Sequence, residues 1–115
     1  MYELTGHQAF ARDFNLRGQI QAAAGSVMHN IAEGFDAGTS PEFIRFLKIA
    51  RRSASEVQSE LYLALDRQYI SGDELEAAYG LATDCKRLIN GMIGYLRRAR
   101  RSGAVTTLPA DTETT

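Results

Sequence analysis

The sequence is poor in the residues that characterise secreted and membrane proteins. It has one cysteine, Cys85, in 115 residues, which excludes an internal disulfide and a zinc site built from several cysteines. No run of about 18 apolar residues occurs, so no membrane span is expected. The first residues show no basic segment followed by an apolar one, so no signal peptide is expected either. The length of 115 residues predicts one domain, and these absences predict a cytoplasmic protein.

Proline and net charge are also low. The chain has 13 Lys and Arg against 14 Asp and Glu, a formal net charge of −1. Bulk charge therefore neither favours nor excludes nucleic acid, and only the distribution of charge can decide. The two prolines, Pro41 and Pro109, interrupt no periodic run. Ala, Leu, Arg, Glu and Gln are abundant and no segment alternates with period two, so an all-α fold is predicted.

The first long helix is predicted between a cap at Asp13 or Asn15 and a stop at or near Gly34. Before it, Met1–Phe10 reads as the last turns of another helix, which stops near Gly6. The apolar residues of the long helix recur at steps of three and four, which places them on one face. They are Leu16, Ile20, Ala23, Ala24, Val27 and Ile31.

The second long helix has a start signal with three parts. Ser40 is the predicted cap, Pro41 occupies the first turn, and Glu42 meets the positive end of the helix dipole. Phe35–Thr39 is the predicted loop before it, and the helix fades at Arg67–Ile70. Its stripe is Phe43, Phe46, Leu47, Ala50, Ala54, Val57, Leu61, Ala64 and Leu65.

The third long helix follows Ser71-Gly72-Asp73-Glu74, which has the spacing of a capping box. Its predicted stripe is Leu75, Ala78, Tyr79, Ala82, Cys85, Leu88, Ile89, Met92 and Leu96. Leu81 and Tyr95 widen this stripe, which indicates contact with more than one neighbour. Gly91 and Gly94 indicate close packing or a bend. The helical domain is predicted over residues 1–101, with a disordered tail over 102–115 because large apolar residues are scarce there.

The order of motifs resembles one family. The residues that carry the resemblance are Gln19-Ile20, Asn30-Ile31-Ala32-Glu33-Gly34, Ser40-Pro41-Glu42-Phe43-Ile44-Arg45-Phe46-Leu47-Lys48-Ile49-Ala50 and Ser53-Ala54-Ser55-Glu56-Val57. Over roughly residues 2–98 the chain is similar to the intervening-sequence proteins, recognised as reading frames inserted in bacterial large-subunit ribosomal RNA genes. The accessory (Avd-like) proteins of diversity-generating retroelements belong to the same group.

The resemblance implies an antiparallel up-and-down four-helix bundle, assembled as a homopentameric ring, with a first helix that is short or truncated here. It implies nucleic-acid association, a reverse-transcriptase partner in the retroelement members, and neither catalysis nor a cofactor. Two departures are notable: relatives carry a longer first helix before Tyr2-Glu3-Leu4-Thr5, and retroelement members are strongly basic. A near-neutral chain weakens the expectation of phosphate binding.

Two clusters of basic residues are the candidates for nucleic-acid contact. Arg97, Arg98, Arg100 and Arg101 end the last helix, where they either bind phosphate or complement the helix dipole. Lys48, Arg51 and Arg52 lie on the second helix, where a solvated face with Arg52 paired to Glu56 is the simpler interpretation. If both clusters share one side of a ring, symmetry would multiply a weak patch.

The other candidates favour structural roles. Asn30, Glu33 and Gly34, with Ser40 and Pro41, form a motif that suits helix ends, although an amide beside a carboxylate can also bind a cation. His7 and His29 show no metal-ligand spacing, and Cys85 falls on an apolar stripe.

The leading functional hypothesis is a non-enzymatic, self-assembling bundle that binds RNA, DNA or a nucleic-acid enzyme. The alternative is an oligomeric protein-interaction scaffold without nucleic acid. Clustered arginines favour the first hypothesis, and near-zero net charge favours the second. No sequence feature supports a hydrolase or a metal enzyme.

Overall fold

The computed structural model describes residues 8–102. The predicted stop near Gly6 lies outside this range, and so does the predicted tail over 102–115 except for Ser102, which still belongs to the last helix. Within it the chain is all-helical without strands, as predicted. The four helices are α1 (Gln8–Arg12), α2 (Phe14–Asp36), α3 (Ser40–Asp66) and α4 (Gly72–Ser102). None of these helices has a stretch of the length and apolarity that crossing a membrane requires.

The three long helices run antiparallel in chain order, each packed along the next. Ser26 Oγ lies 2.8 Å from Ser53 Oγ, which ties α2 to α3. Between α3 and α4, the buried Gln58 amide donates to Thr83 Oγ1 at 2.8 Å and to the Tyr79 carbonyl at 3.2 Å. These contacts satisfy a polar side chain inside the bundle, where an unpaired amide would be costly.

The core consists of two clusters, one at each end of the bundle. The first joins α1, both ends of the α3–α4 turn, and the start of α2; its buried members are Phe10, Leu16, Ile20, Ala23, Val57, Leu61, Ala64, Ile70 and Ala78. The second lies where α3 begins and α4 ends; its buried members are Phe43, Ile44, Leu47, Ala50, Ile89, Ile93 and Leu96. The helical stripes read from the sequence therefore account for most of the core.

The end of α2 differs from the prediction. The helix continues through Phe35 to Asp36, two residues beyond Gly34. The positive φ of 86° belongs to Gly38 in the loop. Gly34 serves close packing instead, since a Cβ there would lie 2.7 Å from Phe43 Cδ1 and 3.0 Å from Phe46 Cβ. Gly34 gives the Phe43 ring the space to pack between the helices. In the sequence, a glycine with this role looks the same as a glycine that ends a helix.

The cap of α3 is also one residue earlier than predicted. Thr39 has extended backbone angles, and its Oγ1 accepts a hydrogen bond from the Glu42 N–H at 3.4 Å. Ser40 is already helical and fully buried. Pro41 lies in the first turn, as predicted. Thr39 is the cap because Ser40 is buried and already part of the helix, whereas the exposed Thr39 has extended backbone angles and lies three residues before the Glu42 N–H.

The capping box of α4 is confirmed. The Ser71 N–H donates to Glu74 Oε1 at 2.9 Å, and the Glu74 N–H donates to Ser71 Oγ at 3.1 Å. One residue of the predicted stripe is wrong: Leu88 is 76% exposed, whereas Ile93, which the stripe omitted, is buried. Leu88 lies on the side of α4 that turns away from α3, where no other described helix covers it. Gly91 has open space around it, so the predicted close packing is not found there.

Asp13 links α2 to the α3–α4 turn. Its Oδ1 accepts from the Leu16 N–H at 3.1 Å, and its Oδ2 accepts from Arg67 Nη1 at 2.6 Å and from the Tyr69 hydroxyl at 2.9 Å. The backbone bond from Leu16, followed by the bonds from Tyr69 and Arg67, lowers the pKa of this carboxyl. One side chain thus caps a helix and orders a turn.

The lowered pKa of Asp13 predicts an acid-dependent loss of stability. A carboxyl whose pKa is lower in the folded chain stabilises it above the unfolded pKa, and that contribution is lost as pH falls through the folded pKa. We expect Asp13→Asn to reduce the melting temperature at pH 7 and to change it much less at pH 3. Thermal unfolding followed by circular dichroism at both pH values measures this. An equal loss at both values would contradict the charge-based account.

Candidate nucleic-acid interface

A basic groove runs along the seam between α3 and α4. The first half of α3 contributes Lys48, Arg51 and Arg52, and α4 contributes Lys86 and Asn90; Ser55 completes the lining. The groove is open to solvent and has a volume of about 420 Å³. Antiparallel packing brings these residues together because α3 and α4 pass each other at this level. The predicted cluster on α3 therefore faces a partner helix.

The groove residues bond to neutral partners. Arg51 Nη1 donates to Asn90 Oδ1 at 2.6 Å, and Lys86 Nζ donates to Ser55 Oγ at 3.3 Å. An amide and a hydroxyl hold these side chains in place without neutralising their charge. Within residues 8–102 the cations of this groove form no salt bridge, so the surface keeps its positive charge.

The predicted pairing of Arg52 with Glu56 does not form. Both side chains are exposed, and an ion pair in that setting gains only about 0.2–1 kcal/mol, which the side-chain entropy of two long residues opposes. Helical spacing alone was therefore insufficient evidence for the pair. A neighbouring arginine does pair: Arg45 Nη2 lies 3.1 Å from Glu42 Oε2, and this contact lowers the pKa of Glu42.

The second basic cluster lies at the end of α4. Arg97, Arg100 and Arg101 surround one surface depression. Arg98 does not line this depression. Its side chain lies over Gly94 instead, with Nη1 3.2 Å from the position that a Cβ on Gly94 would occupy. Three of the four predicted arginines are therefore brought together. Arg100 and Arg101 also lie in the last turn, where positive charge complements the helix dipole.

The two basic clusters share one stripe of α4. Lys86, Asn90, Arg97 and Arg101 follow one another at steps of four, seven and four residues. At 100° per residue these positions fall within an arc of about 60°, and they extend over about 22 Å. Asn90 is the residue that Arg51 contacts, so the α3 cluster joins the same stripe. We call this surface, formed by Lys48, Arg51, Arg52, Lys86, Arg97 and Arg101, the basic face.

Lys86 was missed by sequence analysis. Only Arg87 follows it as a second cation, and two adjacent cations do not make a basic run. The signal that was available is its distance of eleven residues from Arg97, three helical turns. Its neighbour Arg87 lies about 100° away around the helix. Arg87 Nη1 lies 3.8 Å from Asp84 Oδ1, and both side chains are exposed.

The motif around Asn30 is part of the helix packing. Asn30 is buried, and its Nδ2 donates to the Ser26 carbonyl at 2.8 Å and to Ser26 Oγ at 3.0 Å. Ser26 in turn contacts Ser53 on α3. Glu33 is exposed and lies 3.9 Å from His29 Nε2, so it does not converge with Asn30. These contacts favour the structural interpretation of the motif.

No metal site is formed by the described part of the chain. It contains no group of three His, Cys, Asp or Glu residues close enough to hold an ion. Cys85 lies on α4 and is half-buried, and this burial raises the pKa of its thiol. A thiol with a raised pKa is a poor nucleophile at neutral pH. The basic face is therefore the best candidate for a functional site.

Comparison with known proteins agrees with this fold. One solved structure, described as a protein with unknown function from the S23 ribosomal protein family of Bacteroides thetaiotaomicron, is 26% identical with a TM-score of 0.72. The alignment covers 80% of this chain and 83% of that one. No curated protein sequence matches. The family described as 23S rRNA-intervening sequence protein matches residues 1–91. The chain therefore belongs to the 23S rRNA-intervening sequence protein family.

Proposed function

We propose that this protein is a non-enzymatic, homo-oligomeric helical bundle that binds nucleic acid through the basic face. The observation that carries this proposal is the shared stripe, in which the cations of α3 and α4 form one surface that no carboxylate of the described residues neutralises. A net charge of −1 is compatible with it, because binding responds to local potential and not to the sum.

The dimensions of the basic face suit a phosphate backbone. Its α4 stripe is about 22 Å long, which matches about six phosphates along one strand at 3.4 Å each. Arginine donates in a planar fork that binds phosphate oxygens two at a time, and lysine adds a point charge. Contacts of this kind position a nucleic acid without reading its sequence. We therefore expect binding with little sequence preference.

The finer expectations from the resemblance remain predictions. These are a ring of five copies and, for a retroelement role, a reverse-transcriptase partner. The second candidate function is an oligomeric scaffold without nucleic acid, and exposed apolar side chains on α2 and α4 favour it. Both candidates include self-assembly, so RNA binding separates them.

The test compares neighbouring charges on the same helix. We expect Lys86→Gln with Arg97→Gln to weaken binding of a labelled 20-nucleotide RNA by about tenfold at low salt, since two phosphate contacts are removed. The matched control is Arg87→Gln with Arg12→Gln, which also removes two charges, both from residues that line neither basic cluster. Fluorescence anisotropy gives the affinities. Equal effects of the two changes would contradict a localised site, and absence of RNA binding would leave the scaffold role.

A further inference from the structure

A pair of tyrosines continues the seam between α3 and α4 beyond the basic face. Tyr62 on α3 and Tyr79 on α4 pack edge to face, with ring centroids 5.5 Å apart and an angle of 68° between the rings. Tyr79 is half-buried, whereas Tyr62 is 50% exposed. The contact with Tyr79 therefore holds in place an aromatic side chain that is open to solvent.

Three further contacts join this tyrosine pair to the basic face. In order along the seam they are Gln58–Thr83, Ser55–Lys86 and Arg51–Asn90. Each step of four or three residues back along α3 matches an equal step forward along α4. The contacts therefore form one regular series, with the tyrosine pair at one end and the cations of the basic face at the other.

Tyr79 also lies on the stripe of α4 that carries the basic face. It precedes Lys86 by seven residues, which is about 20° around the helix and about 10 Å along it. At 3.4 Å for each nucleotide of a strand, this distance corresponds to about three nucleotides. A strand whose phosphates lie along the basic face can therefore bring a base to the tyrosine pair.

Acidic residues lie beyond the tyrosine pair, on the side away from the basic face. Asp66 follows Tyr62 by four residues, Glu76 precedes Tyr79 by three, and both acidic residues are exposed. Their negative charge opposes that of a phosphate backbone. The favourable path for a strand therefore has the tyrosine pair at its end.

We propose that Tyr62, held by Tyr79, stacks on an unpaired base of a strand whose phosphates lie on the basic face, so that the ligand is single-stranded nucleic acid. This inference rests on the proposed function and names its substrate class. A positively charged groove with an aromatic side chain beside it is typical of single-strand binding, and such stacking tolerates any base sequence. In a duplex the bases are paired and stacked on one another, so Tyr62 would find none to contact.

The test compares two 20-nucleotide strands with the same phosphates, an oligothymidylate and an abasic strand. We expect the wild type to bind the oligothymidylate about tenfold more tightly, which is within the range that one stacked base contributes. Tyr62→Leu keeps an apolar side chain without a ring and should reduce this preference to about twofold or less, whereas Tyr62→Phe should keep it. Fluorescence anisotropy at low salt gives the affinities, and circular dichroism checks the fold.

Tyr95→Leu is the matched control. Tyr95 is 46% exposed, but it lies about 180° around α4 from Lys86, so its loss should leave the base preference unchanged. Tyr62→Leu removes no charge, so it should keep the salt dependence of the wild type and bind a 20-base-pair duplex as tightly. These two measurements separate a lost stacking contact from a damaged basic face.

Tyrosine fluorescence decides if Tyr62→Leu does not fold. The chain has no tryptophan, so tyrosine emission is visible, and a base stacked on Tyr62 should quench it. We expect unlabelled oligothymidylate to quench the wild type more strongly than it quenches Tyr62→Phe. Equal quenching of the two proteins would contradict the stacking role.

The remaining outcomes also overturn the inference, and they distinguish it from the proposed function. Equal binding of both strands by the wild type, or a base preference that Tyr62→Leu leaves intact, would remove the stacking role while phosphate binding by the basic face would stand. An equal loss of duplex and oligothymidylate binding in Tyr62→Leu would remove the selectivity for single strands. A wild type that binds neither strand would remove this inference together with the nucleic-acid part of the proposed function.

Discussion

Replacing Phe43 with alanine is expected to lower the free energy of unfolding by about 3–5 kcal/mol. Phe43 is 2% exposed and belongs to the core cluster where α3 begins and α4 ends. Its ring packs against Gly34 on α2 and contacts the Phe35 ring edge-on, with centroids 5.6 Å apart. The loss combines the transfer of a large apolar group with the cavity left behind.

Urea unfolding followed by circular dichroism measures this loss. The control is Phe14→Ala, which removes the same side chain from a position that is 70% exposed, and it should change stability by no more than about 0.5 kcal/mol. A domain of this size has a total stability of about 5–15 kcal/mol, so the core variant loses a large share. A small effect of Phe43→Ala would show that the Gly34–Phe43 contact does not organise the α2–α3 packing.

Removing four charges from the basic face is expected to weaken RNA binding by about 100- to 1,000-fold at low salt. The changes are Lys48→Gln, Arg52→Gln, Arg97→Gln and Arg101→Gln. All four residues are exposed, and the described structure gives them no salt bridge, so their loss should leave the fold intact. Each phosphate contact releases about 0.7 counterions from a single strand, and four contacts together account for the factor.

The control for this variant is a protein that has lost positive charges elsewhere but keeps the basic face. Arg12→Gln, Arg17→Gln and Arg87→Gln remove three cations that line neither basic cluster. This variant should bind RNA within a few-fold of the wild type. If it lost as much affinity as the variant with four changes, binding would follow total charge and not a defined surface.

The three long helices and most core residues were predictable from the sequence, because both depend on the spacing of residues within one helix. The stripe of α3 and the Ser71–Glu74 capping box need only residues three or four positions apart. The Thr39 cap and the end of α2 were misplaced by one and two residues, since Ser40 and Gly34 carry the usual signals but serve packing. Such boundaries depend on neighbouring helices, which the local sequence does not contain.

The basic face was predictable only in part, for the same reason. Its arginines are clustered in the sequence. Lys86 is not part of those clusters, and it lies beside Arg51 and Arg52 only because α3 and α4 pack together. The exposure of Leu88 is also a tertiary property, because a helical wheel does not show which apolar residues a neighbouring helix covers. Leu81 and Tyr95 widen the predicted stripe of α4, but they are 68% and 46% exposed, so the described helices leave them largely uncovered.

The most direct test of nucleic-acid binding by the basic face is the salt dependence of RNA affinity. The logarithm of the association constant is measured against the logarithm of salt concentration, for the wild type and for the variant that lacks Lys48, Arg52, Arg97 and Arg101. We predict a negative slope whose magnitude falls by about 0.7 for each charge removed, or about 2.8 in total. A wild-type slope near zero, or the same slope in both proteins, would contradict the assignment of this surface.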